Sequence, residues 1–415
     1  MPLGFYIIMA AQFFSAFADN AALIIAIGML KAADAPAFHE PLLKLYFAVS
    51  YVALAAFVGA FADSMPKWRV MLISNTIKIG GCMLLFFGVH PFVSYAIIGL
   101  GAAAYSPAKY GILTEYLPHR LLVVANGWIE GLTVGAIILG ALVGGFLVRD
   151  DVTAWILGLS LPAIDSAARA GIIVVGTFYL LAAFFNLFIP DTGVDHKPLK
   201  NNPIYLFHDF AHCLKLLWRD KLGQITLAVT TLFWGAAQTL QFILIEWSAL
   251  NLGLDLSAST LLQGTLTGGI AVGAVLAARL VSMRRSVTVI PLGIAMGVVM
   301  LIMPHVYDAN LAKVLLVVIG MLAGFFVVPM NALLQHRGHV LMGAGHSISV
   351  QNFNENLSIL LMLSGYAFLV WLDFSINTVI YLFGFFLAGT MFMIKLWHDA
   401  NQRKFDSVAQ LDDIH

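Results

Sequence analysis

Apolar residues in this chain run in long blocks separated by short polar loops. Twelve blocks approach or exceed the roughly 20 residues that a helix needs to cross the hydrocarbon core of a bilayer. They cover about 4–30, 42–62, 70–89, 92–117, 122–148, 170–189, 222–247, 259–281, 287–303, 313–335, 342–368 and 377–397. The pattern predicts an all-α membrane protein with twelve transmembrane helices. The longest polar interruption, DTGVDHKPLKNN at 191–202, falls between the sixth and seventh blocks. The expected organisation is an N-terminal six-helix bundle (1–190), a cytoplasmic linker with an amphipathic helix (191–221), a C-terminal six-helix bundle (222–397) and a cytoplasmic tail (398–415). Within the linker, PIYLFHDFAHCLKLLW reads as a surface helix with its apolar face against the bilayer.

The two halves echo each other at a constant shift. FFSAFADN (13–20) lies 219 positions before LFWGAAQT (232–239), pairing Phe14 with Phe233 and Asp19 with Gln238. The same shift sets Leu42, Leu43 and Lys44 against Leu261, Leu262 and Gln263. With three residues inserted, Pro107 matches Pro329 and Lys109 matches Asn331. The shared order supports a duplicated six-helix unit, the plan of transporters that rock two pseudo-symmetric bundles about a central site.

Composition agrees with the blocks: 60% of residues are hydrophobic and 11% charged, against about half and a quarter in soluble domains. Lipid is therefore the solvent. Zero net charge gives no reason to expect a nucleic-acid partner. Cys82 and Cys213, in an apolar block and a connecting loop, supply no disulfide framework. The first block is about twice the length of a signal-peptide core and has no evident cleavage site, so a retained helix is expected. Basic residues are unevenly shared between the loops. Lys67, Arg69, Arg120, Lys197, Lys200, Lys215, Arg219, Lys221, Arg284, Arg285, Arg337, Arg403 and Lys404 fall on one side, and Lys31, Lys44, Arg149, Arg169 and Lys313 on the other. That asymmetry places both termini and the linker in the cytoplasm.

One loop carries a superfamily signature. GAFADSMPKWR (59–69) resembles the major facilitator motif between helices two and three, G-x-x-x-D followed by clustered basic residues. Gly59 would allow close helix approach, Asp63 would accept hydrogen bonds or cap a helix, and Lys67 and Arg69 would carry positive-inside charge. These four residues are the expected cytoplasmic gate. Pro66 replaces the customary glycine, and the corresponding second-half loop, VSMRRS, has no aspartate.

Longer strings narrow the resemblance. AQFFSAFADNAAL (11–23), GAAAYSPAKYGIL (101–113), ANGWIE (125–130), AGFFVVPMNALLQHRG (323–338) and GAGHSISVQNFNENLSILLML (343–363) look like the bacterial lysophospholipid transporter family. The resemblance implies a major facilitator fold and an inner-membrane flippase. Its substrates would be lysophosphatidylethanolamine and related lysolipids, moved from the outer to the inner leaflet. A cytoplasmic acyltransferase/acyl-ACP synthetase is the implied functional partner, and the expected assembly is a monomer. Gln241 stands near a position where the family has a basic residue, Glu246 adds an acid nearby, and His346 replaces a more familiar asparagine.

Polar residues inside the blocks are the candidate substrate or coupling-ion residues, because a charge at bilayer depth is costly and needs a use or a partner. Asp19 and Glu355 lie near the middle of the first and eleventh blocks, and each reads as a cation or proton site or as a hydrogen-bonded link between helices. Asn20 follows Asp19, and Gln351 and Asn352 sit within a turn of Glu355. Lys109, two residues after Pro107, offers three readings: a snorkelling or structural charge, a contact for the lysolipid phosphate, or a partner for Asp19 that separates during transport. Glu130 and Asn126 share a face of the fifth helix, and Gln241 completes the set. Lys78 reads as paired with a neighbour, and Glu115 as an interfacial partner of Arg120. His208 and His212 have the spacing of a metal pair but lie on the amphipathic helix, so no metal site is expected. His336 and His339 read as loop residues.

No Walker sequence or nucleophile–base constellation is present, so neither ATP use nor an enzyme is expected. No cofactor is expected either, and the coupling ion, sodium or proton, stays open. A proton-coupled porter for a drug or small hydrophilic solute is the alternative reading. In the expected mechanism, two bundles alternate access around Asp19, Lys109 and Glu355, while the Asp63 loop latches the cytoplasmic side.

Overall fold

Long apolar sequence with few internal helix breakers folds into long helices, since a bilayer leaves the backbone no other partner for its polar groups. A computed structural model describes residues 1–35, 39–147, 152, 158, 166–195, 202–254 and 256–404. The side chains of residues 31, 39–42, 119, 130, 167, 256–258 and 260 also lie outside the description. Arg149, Lys197, Lys200 and the tail after residue 404, all used in the orientation or domain expectations, fall outside the described residues.

The chain forms α1 (Leu3–Ala32), α2 (His39–Asp63), α3 (Lys67–Phe86), α4 (Pro91–Tyr116), α5 (Leu122–Leu147) and α6 (Ala167–Asn186). An amphipathic α7 (Pro203–Arg219) precedes α8 (Gly223–Leu252), α9 (Leu256–Leu280), α10 (Ile290–Met300), α11 (Ala309–Met342), α12 (Ala344–Trp371) and α13 (Ile376–Lys404). The described residues contain no strand. Eleven segments are long and apolar enough to cross a membrane. α4, at 26 residues, is as long but less apolar, and completes the expected twelve. Many large apolar side chains, including Phe87, Phe184, Leu361, Phe385 and Met393, are more than half exposed, as a lipid-facing surface requires.

Several boundaries have local causes. Ser166 caps α6 by accepting from Arg169 N–H at 3.3 Å. Gly253, at φ +63°, closes α8 in the left-handed conformation. The ninth span is composite: short 3-10 turns at Met283–Val289 and Met303–His305 flank α10, with a proline opening both α10 and the second turn. α4 and α11 run through Pro107 and Pro329. Each proline removes one backbone donor without ending its helix. α11 also extends to Met342, so His336 and His339 lie in its last turns rather than in a loop. Cys213 likewise belongs to α7, not to a connecting loop. On α7, Leu206, Cys213 and Leu217 are buried while Ile204 and Phe207 are exposed.

The residues group into two compact units. Unit 1 holds Met1–Glu115, Leu132–Ala211 and Gly343–Val350; unit 2 holds Tyr116–Gly131, His212–Met342 and Gln351–His415. In unit 1, α6 packs against α1 and α3, around a core that includes Phe17, Ile25, Tyr95, Ile98 and Val175. In unit 2, α9 packs on α11, α10 on α13, and α8 on both α11 and α13. The α9–α11 contact is made by small residues. Gly269 and Gly273 face Gly320 and Gly324 at four-residue spacing, and a Cβ at any of them would strike a backbone carbonyl of the facing helix. Close backbone approach of this kind replaces the hydrophobic drive that lipid cannot supply. Gly324→Leu is therefore expected to abolish the monodisperse peak in fluorescence-detected size-exclusion chromatography. Gly365→Leu, where nothing lies within 4 Å of the new Cβ, is expected to keep it.

Candidate functional site

In unit 1 the polar centre is an ion pair between α1 and α3. Lys78 Nζ lies 2.8 Å from Asp19 Oδ2, with the lysine side chain 1% exposed and the aspartate 18%. Tyr179 O–H donates to the other carboxylate oxygen at 2.6 Å. The ammonium also donates to Ser15 Oγ at 2.9 Å, and Ser15 donates onward to Asn75 Oδ1 at 2.9 Å. The rings of Tyr105 and Tyr179 flank the ammonium at 4.9 and 5.5 Å, a favourable site for a desolvated cation. Asp19 thus pairs with Lys78, not with Lys109. Lys109 is half-buried, its Nζ 4.2 Å from the centre of the Tyr110 ring. Asn20 donates its amide to Ala16 O on its own helix at 2.8 Å. Ser74 Oγ and Asn75 Nδ2 are buried without a hydrogen-bond partner among the described residues.

A second polar cluster in unit 1 gathers on Asp63, at the end of α2. Its Oδ1 accepts from Lys67 Nζ at 2.8 Å and from Gly345 N–H at 2.7 Å. Oδ2 accepts from His346 N–H at 3.1 Å and lies 2.6 Å from His346 Nδ1. The carboxylate therefore caps the first turn of α12, where free N–H groups and the positive end of the helix dipole favour an anion. The other ring nitrogen of His346 lies 3.1 Å from Asp209 Oδ2 on α7. Lys67 also reaches Glu115 Oε1 at 3.1 Å and donates to Ala62 O at 2.7 Å. Thr192 holds the second Glu115 oxygen at 3.1 Å, so Glu115 pairs with Lys67 rather than Arg120. A Cβ on Gly59 would come within 2.9 Å of Ser349 Cβ, and one on Gly345 within 2.7 Å of Gly59 O. The cluster thus joins Gly59, Asp63 and Lys67 but not Arg69, which is exposed and stacks on Trp68 at 5.1 Å.

Unit 2 carries its own buried polar set. Gln351 Nε2 donates to Glu355 Oε1 at 2.7 Å and to Asn331 Oδ1 at 3.1 Å, while Gln351 Oε1 is buried without a partner among the described residues. Asn352 and Glu355 are both buried. Asn126 and Gln335 exchange two amide hydrogen bonds of 3.0 Å, joining α5 to α11. Gln241 on α8 donates to Gln263 Oε1 on α9 at 3.3 Å and accepts at its carbonyl from Gln263 Nε2 at 3.2 Å. Asp220 caps α8 through Gly223 N–H at 2.7 Å and takes Arg337 in a two-point contact of 3.1 and 2.5 Å. The side chain of Glu130 lies outside the described residues.

Comparison with known proteins places these features in a family. A family model described as Major Facilitator Superfamily matches residues 8–361. The Lysophospholipid transporter LplT of Yersinia enterocolitica serotype O:8 / biotype 1B is 41% identical over 368 residues, 88% of this chain and 87% of that protein. The protein of the same name from Yersinia pestis (strain Pestoides F) is 40% identical over 364 residues, 88% of this chain and 86% of that protein. The chain belongs to the lysophospholipid transporter family of the major facilitator superfamily. Among solved structures, the major facilitator transporter FucP in its outward conformation matches with a TM-score of 0.74 at 12% identity, covering 96% of this chain and 98% of that one. The human organic anion transporter MFSD10 (TETRAN) matches with a TM-score of 0.70 at 14% identity, covering 96% and 100%. The fold is therefore the major facilitator fold, membrane-spanning and helical throughout its described elements.

In this lysophospholipid transporter family member, Lys78, Tyr179, Asn331 and Gln335 complete the polar networks although none is among the site residues the sequence predicts. The available signal for Lys78 was its place, twelfth of the twenty residues of α3, where snorkelling recovers little. Tyr179 carried no such signal. Breaking a buried ion pair by removing one partner costs about 3–5 kcal/mol. Asp19→Asn is expected to lower the thermal midpoint of the purified protein by a corresponding amount. Adding Lys78→Met, which removes the stranded charge, is expected to recover most of the loss. A double variant no more stable than Asp19→Asn alone would discard the ion pair as the cause.

Proposed function

We propose that the protein is a lysophospholipid flippase of the bacterial inner membrane. It carries lysophosphatidylethanolamine and related lysolipids from the outer to the inner leaflet by alternating access, for reacylation by a cytoplasmic acyltransferase/acyl-ACP synthetase. The observation that carries this reading is the 41% identity, across 88% of the chain, to a protein named as a lysophospholipid transporter. In this proposal the protein acts as a monomer, without a cofactor, with both termini in the cytoplasm.

The polar residues support the reading chemically. A zwitterionic or anionic head group needs a cation, hydrogen-bond donors and acceptors at bilayer depth, where unpaired polar groups are costly. Unit 1 offers Lys109, the Asp19–Lys78 pair and the buried Tyr105 hydroxyl; unit 2 offers Gln351, Asn352 and Glu355. Lysine binds phosphate as a point charge, without the two-point grip of arginine, which favours release as well as binding. Asp19 and Glu355 are the proposed sites for a coupling sodium ion or proton. Asp63, Lys67 and Gly59 form the proposed cytoplasmic latch.

The test is uptake of labelled lysophosphatidylethanolamine by cells that lack their native transporter, comparing wild type, Asp19→Asn and Lys109→Ala at equal expression. Transport by the wild type and a fall of at least tenfold in both variants are expected, about the effect of losing 1.4 kcal/mol or more of transition-state stabilisation. Normal rates in both variants would reject the site, and no transport by the wild type would reject the substrate. Repeating the assay without sodium, and then without a proton gradient, identifies the driving ion.

A further inference from the structure

Four arginines line one cavity of unit 2 whose described lining includes none of the residues proposed for transport. Arg120 lies in the short turn before α5, Arg279 in the last turn of α9, and Arg284 and Arg285 in the 3-10 turn that follows. They line a cavity of about 540 Å³, with no acidic residue among the described residues of its wall. Arg120, Arg279 and Arg285 form no ion pair with any described residue. A close helix contact creates the convergence: a Cβ on Gly127 would sit 2.7 Å from Ala278 Cβ and 3.2 Å from Ala274 O. The start of α5 is thereby pressed against the end of α9, which gathers four like charges in one place.

Scattered basic residues serve a cytoplasmic loop by positive-inside charge alone. Convergence from separate segments onto one concavity is a different arrangement, because mutual repulsion makes it unfavourable until an anion is present. This is also the loop in which the second half of the chain keeps its arginines but has no counterpart to Asp63. Apart from Ser282, the rest of the described wall is apolar, with Val123, Val124 and Val281 beside the guanidinium groups. Leu280, 66% exposed, stands at the rim. An amphiphile satisfies both surfaces, whereas a small inorganic anion satisfies only the arginines.

We propose that this cavity binds the phosphate-bearing head group of an anionic phospholipid from the leaflet on the side where the basic loops gather. Guanidinium groups take the phosphodiester oxygens in two-point contacts, the apolar wall takes the glycerol and upper acyl carbons, and the chains remain in the bilayer. The occupant neutralises the arginines and so holds the start of α5 against the end of α9. Lipid composition then bears on the stability of this contact, independently of which molecule is transported.

The test uses the purified full-length protein, delipidated in detergent and titrated with phosphatidylglycerol, phosphatidylcholine or sodium pyrophosphate. Thermal midpoint and lipid retention in native mass spectrometry are the readouts. Phosphatidylglycerol is expected to raise the midpoint of the wild type, and phosphatidylcholine is not. The half-saturating concentration should rise roughly fivefold for each arginine removed in Arg120→Gln and in Arg279→Gln with Arg285→Gln. Arg403→Gln with Lys404→Gln, at the end of α13, should match the wild type. Unchanged half-saturation in the cavity variants, or an equal loss in the α13 control, would overturn the site. Stabilisation by pyrophosphate with the same arginine dependence would overturn the lipid assignment in favour of a soluble anion.

Discussion

The carboxylate of Asp63 imposes order on the end of α2, the start of α3 and the first turn of α12. It accepts from the Gly345 and His346 backbone N–H groups and from the Lys67 ammonium, and it contacts the His346 ring. Removing it would strand the Gly345 and His346 N–H donors and take one of two carboxylate partners from a lysine that is 2% exposed. Stranded groups of that kind are expensive where water is scarce. The surrounding geometry follows from this need. Glycine at 59 and 345 lets the backbones approach, and Glu115 takes the remaining reach of Lys67. His346 extends the network to Asp209 on the amphipathic helix.

The same rule, that a buried polar group must find its partner inside the chain, organises both units at membrane depth. In unit 1 it produces the Asp19–Lys78 pair with its tyrosine and serine escorts. In unit 2 it produces reciprocal amide pairing between Asn126 and Gln335 and the Asn331–Gln351–Glu355 chain. In the buried set of unit 2, amides make most of the described links, with Glu355 as their carboxylate, whereas an ion pair anchors the polar centre of unit 1. Replacing ions by amides reduces the desolvation cost of a polar core while keeping its directionality. Small residues complete the scheme, most clearly where α9 and α11 meet through four glycines.

Much of this was legible before any coordinates. The spacing of apolar blocks identified an all-α membrane protein with twelve spans, and the strings around Asp19, Lys109, Asn331 and Glu355 identified the family. The ninth span was legible as a block but not as three short helical pieces. α11 runs past the limit that the block pattern predicts, because HRGH at 336–339 looks polar enough for a loop. Polarity reports the solvent of a side chain, whereas helix continuity depends on backbone bonds, and these continue to Met342.

Pairing was the part that could not be read. Composition and periodicity determined that Asp19, Lys78, Lys109 and Glu115 each needed a partner, since an isolated charge is not tolerated at that depth. Which partner each received depended on helix rotation and approach distance, which are set by side chains far apart in sequence. Lys78 lies 59 positions from Asp19, and His346 lies 283 from Asp63. The sequence by itself determined the solvent, the spans, the family and the demand for internal partners. Only the tertiary structure decided that Asp19 meets Lys78 rather than Lys109, and that Asp63 caps a helix beginning more than half the chain away. The physical reason is that hydrophobic burial is local and additive along a helix, while polar pairing is directional and depends on where other helices come to rest.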